Sequence, residues 1–192
     1  MNHYPSPRLT TLVATAIAFA PALAQAHPGH GPAANFAHGF AHPMMGLDHV
    51  LAMLAVGLWA AQLGGRASWL VPAAFVSVMT AGAGLGMSGV HIPLVEQGII
   101  ASVLVLGLLI ATAARLPLVA SAGLVGVFAL FHGVAHGTEM PASASGFAYA
   151  GGFALATAML HIVGLFAAKS TRVEWVRFAG AAIAVMALGL VW

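Results

Sequence analysis

The chain has 192 residues, of which 61% are hydrophobic and only 5% charged, and its mean hydropathy is +0.98. So few charged residues cannot furnish the polar surface of an ordinary water-soluble fold, which selects an all-α, polytopic membrane protein. Six basic and four acidic residues leave a net charge of +2 with no basic run for nucleic acid, and with no cysteine there are no disulfides, thiolate metal sites or cysteine nucleophiles.

Residues 1–26 read as a secretory signal, with Arg8 as the positive start, an apolar stretch from Leu9 to Leu23, and Ala24-Gln25-Ala26 as a small-x-small cleavage site. A short histidine-containing periplasmic tail is expected over 27–42. His27, His30 and His38 are auxiliary metal-capturing groups there, and Pro28, with no amide proton, excludes the chelate that uses a second-residue amide. The remainder, 43–192, is expected to be one transport domain of six membrane-spanning helices. Apolar runs near the length a bilayer demands, about 20 residues, occur at 43–63, 68–87, 93–113, 118–136, 146–168 and 174–192. Short connections make successive helices antiparallel neighbours in a bundle.

The first span opens with "HPMMGLDHVLAML". Pro43 suits a helix start and biases His42 toward an extended cap at the membrane surface, with His49 two turns beneath it. Asp48, about 100° round the wheel from His49, can grip a metal from the side or orient a histidine from behind. Met53 and Gly57 continue the His49 face inward as a stripe that can line a path. The second span carries "AGAGLGMSG", suited to close helix packing. The third begins just before Glu96, a carboxylate that the helix dipole favours in a first turn.

The fourth span ends in "FHGVAHGTE". His132, His136 and Glu139 are spaced i, i+4 and i+7, within about 60° on one helical face. Two imidazoles and a carboxylate so placed form a chelating edge for a divalent ion, and Gly133 and Gly137 admit a neighbouring helix. Helix fraying near Gly137 would move Glu139 off this face. His161 lies deep in the fifth span, either as a later ion station or as an interhelical hydrogen bonder.

Charge sorts the connections. Arg66 lies in the first, Arg115 in the third, and Lys169, Arg172 and Arg177 flank the fifth, whereas the second and fourth hold no lysine or arginine. The positive-inside rule then makes the odd connections cytoplasmic and both mature termini periplasmic, in a bacterial inner membrane. His42, Asp48, His49, Glu96, His136 and Glu139 all fall toward the outer face. Charged groups in hydrocarbon cost several kcal/mol, so such a one-sided set marks a functional site.

"HPMMGLDHVLAMLAVGLWA", together with "FHGVAHGTE" and the later "LHIVG", resembles the HupE/UreJ family of nickel and cobalt permeases across essentially the whole mature chain. The resemblance implies uptake of Ni²⁺ for hydrogenase or urease maturation, or of Co²⁺ in some members. It implies functional roles for His42, Asp48, His49, Glu96, His136 and Glu139. Chemistry alone gives the broader class: imidazole and carboxylate suit several divalent first-row ions. Such capture is pH-dependent, because protonated imidazole cannot ligate metal. The partners expected are the ion, which is cargo and not a prosthetic group, and the lipid bilayer. There is no Walker loop for ATP hydrolysis. Two rival readings are a membrane-embedded zinc hydrolase, which lacks the H-E-x-x-H signature, and a metal sensor or chaperone, which lacks a soluble effector domain.

Overall fold

The structure, a computed structural model, describes residues 32–140 and 146–190. The expected signal sequence, with His27 and His30, lies outside these residues. The order is α1 (Pro32–Ala41), a 3₁₀ turn (His42–Met44), α2 (Leu47–Leu63), α3 (Ala67–Met87), α4 (Val95–Thr112), α5 (Leu118–Glu139), α6 (Gly146–Lys169) and α7 (Val173–Gly189). No strand occurs among the described residues. By length and composition α3, α4, α5 and α6 can each cross a bilayer, and the pair formed by residues Asn35–Met44 and Leu47–Leu63 counts as a fifth if its arms make one span. The seventh helix covers 17 residues.

The helices are apolar on nearly all sides, as expected where the surroundings are hydrocarbon as well as protein. Val119, Phe147, Phe166, Val185 and Leu188 face outward, while Trp59, Phe75, Met53, Met79 and Ile99 fill the interior. Backbone polar groups are paired within each helix, which is what allows an element to sit in lipid.

The opening region gains a helix, and the expectations for Pro43 and His42 are corrected. Residues 32–41 of the expected tail form α1, which packs against α6 so closely that a Cβ on Gly39 would strike the Tyr149 carbonyl and one on Gly152 the Phe36 carbonyl. The first span also does not run unbroken from Pro43. The chain turns through 81° between Met44 and Leu47, with Gly46 extended (φ −101°, ψ 122°) as the residue before α2. His42 therefore stands in the 3₁₀ turn, not as an extended cap, and it shares no helical wheel with His49.

Small residues set the remaining contacts. A Cβ on Gly133 would collide with the Met79 carbonyl and one on Gly137 with the Ala83 carbonyl, so α5 lies directly on α3. The paired positions rise together along both helices, which makes α3 and α5 parallel. Between α4 and α7 the numbering runs oppositely: Gly107 meets Gly180 and Ala184, while Arg177 Nε donates to the Ala111 carbonyl at 2.8 Å. The directions alternate as short connections predict, but the expectation that successive helices are neighbours is corrected: α5 packs mainly on α3, α6 on α2 and α7 on α4, because the small residues that permit close approach face helices further along the chain.

The basic residues among those described collect at one end. Lys169 Nζ lies 5.7 Å from the Trp69 ring centroid, an arrangement that suits a membrane–water boundary. At the same end Trp59 Nε1 donates to the Ala114 carbonyl at 2.9 Å and Gln62 Nε2 to the Ile110 carbonyl at 3.1 Å, tying α2 to α4. The start of α2 and the end of α5, which carry most of the candidate ligands, are at the opposite end.

Candidate metal centre

Three elements bring the site together. The 3₁₀ turn supplies His42, the first turn of α2 supplies Asp48 and His49, and the last two turns of α5 supply His132, His136 and Glu139. Helix α5 continues through Glu139 without fraying at Gly137, and the carboxylate stays on the histidine face.

Asp48 holds His49. Its Oδ1 accepts the His49 backbone N–H at 2.8 Å and the ring Nδ1–H at 2.7 Å. Of the two roles open to Asp48 from sequence, this geometry is the orienting one. It leaves the lone pair on His49 Nε2, a buried atom with no hydrogen-bond partner among the described residues. Gly46 makes room for the pair, since a Cβ there would lie 2.7 Å from Asp48 Oδ1 and 2.8 Å from His49 Nδ1.

Two triads of donor atoms result. His49, His132 and His136 form one, and His42, His136 and Glu139 the other; within each, one donor atom per residue lies within 4.8 Å of the others. His136 belongs to both. Its ring centroid is 4.3 Å from that of His49 and 4.7 Å from that of His42. His42 Nε2–H donates to Glu139 Oε2 at 3.1 Å, whereas His136 Nδ1 is 3.9 Å from the same oxygen, too far for a hydrogen bond.

Exposure falls steadily along this set. The side chains of Glu139, His42, His49 and His136 are 52%, 26%, 13% and 2% accessible, and His132 is fully buried. Both nitrogens of His136, and Nδ1 of His132, are buried without hydrogen-bond partners among the described residues. An unsatisfied buried polar group costs about 1–3 kcal/mol, so a cluster of them is costly unless something else binds there. Imidazole nitrogens and a carboxylate at this spacing suit a divalent first-row ion. Tyr149 and Phe153 of α6 wall the cluster, with ring centroids 5.7 Å (Tyr149) from His42 and 4.1 Å (Phe153) from His136.

Two of the sequence-predicted residues stand apart. Glu96 is exposed in the first turn of α4 and joins neither triad. His161 is buried on α6, separated from His132 by the Phe75 ring, whose centroid is 5.6 Å from His132 and 5.1 Å from His161. His38 is exposed on α1. Sequence reasoning passed over Ser102, whose Oγ lies 3.0 Å from His132 Nε2, and Thr157, whose hydroxyl points to the sulfurs of Met53 (3.3 Å) and Met79 (3.7 Å). The available signal was a polar residue in mid-span, which in a membrane helix asks for a partner.

Fold and site together define a polytopic helical membrane protein with a histidine–carboxylate cluster at one end of the bundle. The family model described as HupE / UreJ protein matches residues 14–190. The chain is 47% identical over 156 residues to Protein HupE of Rhizobium leguminosarum bv. viciae, an alignment covering 81% of this chain and 80% of that one. The chain belongs to the HupE/UreJ family. No solved structure matches it significantly.

Proposed function

We propose that the protein is an inner-membrane permease that takes up a divalent transition-metal ion, Ni²⁺ or Co²⁺, for maturation of metalloenzymes such as hydrogenase or urease. Family membership supports this reading, and the observation that carries it is the sharing of His136 between an exposed and a buried donor triad. An ion first held by Glu139, His42 and His136 exchanges part of its water for these ligands. It then passes to His132 and His49, with His136 common to both triads. A transport site must bind strongly enough to admit and weakly enough to release, and overlapping triads meet both needs.

In this reading all of α2 to α7 cross the membrane, the ligand end is periplasmic, and the basic end, with Arg66, Lys169 and Arg172, is cytoplasmic. The way inward runs along Met53, Thr157 and Met79 to His161, a buried imidazole with neither nitrogen hydrogen-bonded among the described residues. Asp48 acts by steadying His49, and Glu96 adds negative potential at the entrance. The chain acts as a carrier, not an enzyme: the ion is cargo and no hydrolytic role is assigned to it.

The test is competitive uptake of Ni²⁺, Co²⁺ and Zn²⁺ into sealed proteoliposomes. Accumulation in the lumen that is saturable, and lost in His49→Ala and His136→Ala while both variants remain in the membrane, is the expected result. Saturable binding without accumulation would make the protein a sensor or chaperone and overturn the permease reading.

A further inference from the structure

His132 is fully buried, so each of its ring nitrogens must be accounted for. Nε2 is 3.0 Å from the Ser102 hydroxyl on α4. Ser102 is itself fully buried, and its Oγ lies 2.6 Å from the Ile99 carbonyl oxygen, one turn back on the same helix. A serine hydroxyl has one proton and two lone pairs. A carbonyl oxygen can only accept, so the proton goes to Ile99 and Ser102 Oγ is left to accept from the ring. The hydrogen of neutral His132 therefore sits on Nε2 and the lone pair on Nδ1. Nδ1 is the atom with no hydrogen-bond partner among the described residues.

The arrangement mirrors that of the facing histidine. Asp48 takes the Nδ1–H of His49 and frees Nε2; Ser102 takes the Nε2–H of His132 and frees Nδ1. The ring centroids of the two histidines are 4.9 Å apart, so each is backed by an acceptor on its own side of the cluster. We infer that Ser102 is a positioning residue for ion capture, its hydroxyl holding His132 as the Nε2–H tautomer so that Nδ1 meets the ion shared with His49 and His136. The inference rests on the metal-site reading above and extends it to a residue outside both histidine motifs. Groups that fix a ligating imidazole from behind typically change metal affinity strongly while touching no metal.

The purified full-length protein in detergent, titrated with Co²⁺ and followed by its d–d absorption, provides the test. Ser102→Ala is expected to weaken Co²⁺ binding roughly 10–100-fold, and Ser102→Thr, which keeps a hydroxyl, to recover most of that loss. His132→Ala weakens binding as well. In the His132→Ala background, adding Ser102→Ala should cost nothing further, within about twofold, because the two act through one ligand. The metal-free thermal midpoint of each variant separates lost folding from lost ligation. Wild-type affinity in Ser102→Ala, or an equal and additive loss in the His132→Ala background, would overturn the positioning role while leaving the metal site intact. A wild-type protein with no saturable Co²⁺ binding, or a His132→Ala variant that binds as tightly as wild type, would overturn the site reading itself and the positioning role with it.

Discussion

His42 and Glu139, 97 residues apart in sequence, meet at 3.1 Å where the 3₁₀ turn before α2 faces the end of α5. Neither helix periodicity nor local spacing dictates that contact; it arises because α1 docks on α6 and the chain then folds back through 81°. The pair is the most exposed part of the donor set, so its loss acts on capture from dilute solution. Each residue supplies one donor to the outer triad, so Glu139→Gln and His42→Ala should each lower initial uptake at sub-saturating Ni²⁺ by on the order of tenfold. The double variant should fall well short of the product of the two, since both changes disable the same triad. Full multiplicative loss in a proteoliposome assay would mean that the two residues act independently.

Asp48 touches His49 twice and joins neither donor triad. Its removal should therefore free the imidazole to turn without deleting a ligand. Asp48→Ala is expected to weaken Co²⁺ affinity roughly 10–100-fold. Asp48→Asn, whose amide oxygen still accepts one N–H, should lose less. Equal affinities for Asp48→Ala and wild type in an equilibrium titration would leave Asp48 without a part in ion binding.

Gly46 and Gly84 offer a matched comparison. A Cβ at Gly46 enters the space of the Asp48 carboxylate and the His49 ring, whereas one at Gly84 meets nothing within 4 Å. Gly84→Ala, in the interior of α3, should be neutral or stabilise by about 1 kcal/mol through helix propensity. Gly46→Ala should instead displace the Asp48–His49 pair and lower metal affinity, with normal expression in the membrane. The comparison is read by binding titration and thermal midpoint together; an unchanged titration for Gly46→Ala would show that the pair can shift without consequence.

Much of this was legible in the sequence because bilayer thickness and hydropathy constrain helices so tightly. The spans predicted at 118–136 and 146–168 differ from α5 and α6 by at most three residues at either end. The face shared by His132, His136 and Glu139 followed from helical spacing alone. The bend at Gly46 did not, because both arms keep an apolar composition and a glycine in such a motif is equally consistent with close packing. The tie between Ser102 and His132 was hidden for a different reason. A serine in an apolar helix can satisfy itself on its own backbone, as Ser102 does with Ile99, and only the approach of a second helix gives the remaining lone pairs a purpose.

The buried end of the proposed path gives the last prediction. His161 packs at right angles to the Phe75 ring, inside the bundle, with both ring nitrogens unbonded among the described residues. Such nitrogens cost about 1–3 kcal/mol when they serve no partner, so as a purely structural residue His161 is a poor choice. Leucine at this position has comparable volume and nothing to desolvate. His161→Leu should therefore hold or raise the thermal midpoint of the metal-free protein. Co²⁺ binding at the outer cluster, beyond Phe75, should be unchanged. If the imidazole is a station for the ion, flux into proteoliposomes should nonetheless fall by roughly tenfold or more. Wild-type flux in a more stable His161→Leu protein would remove His161 from the path and end the route at the outer cluster's inner histidines.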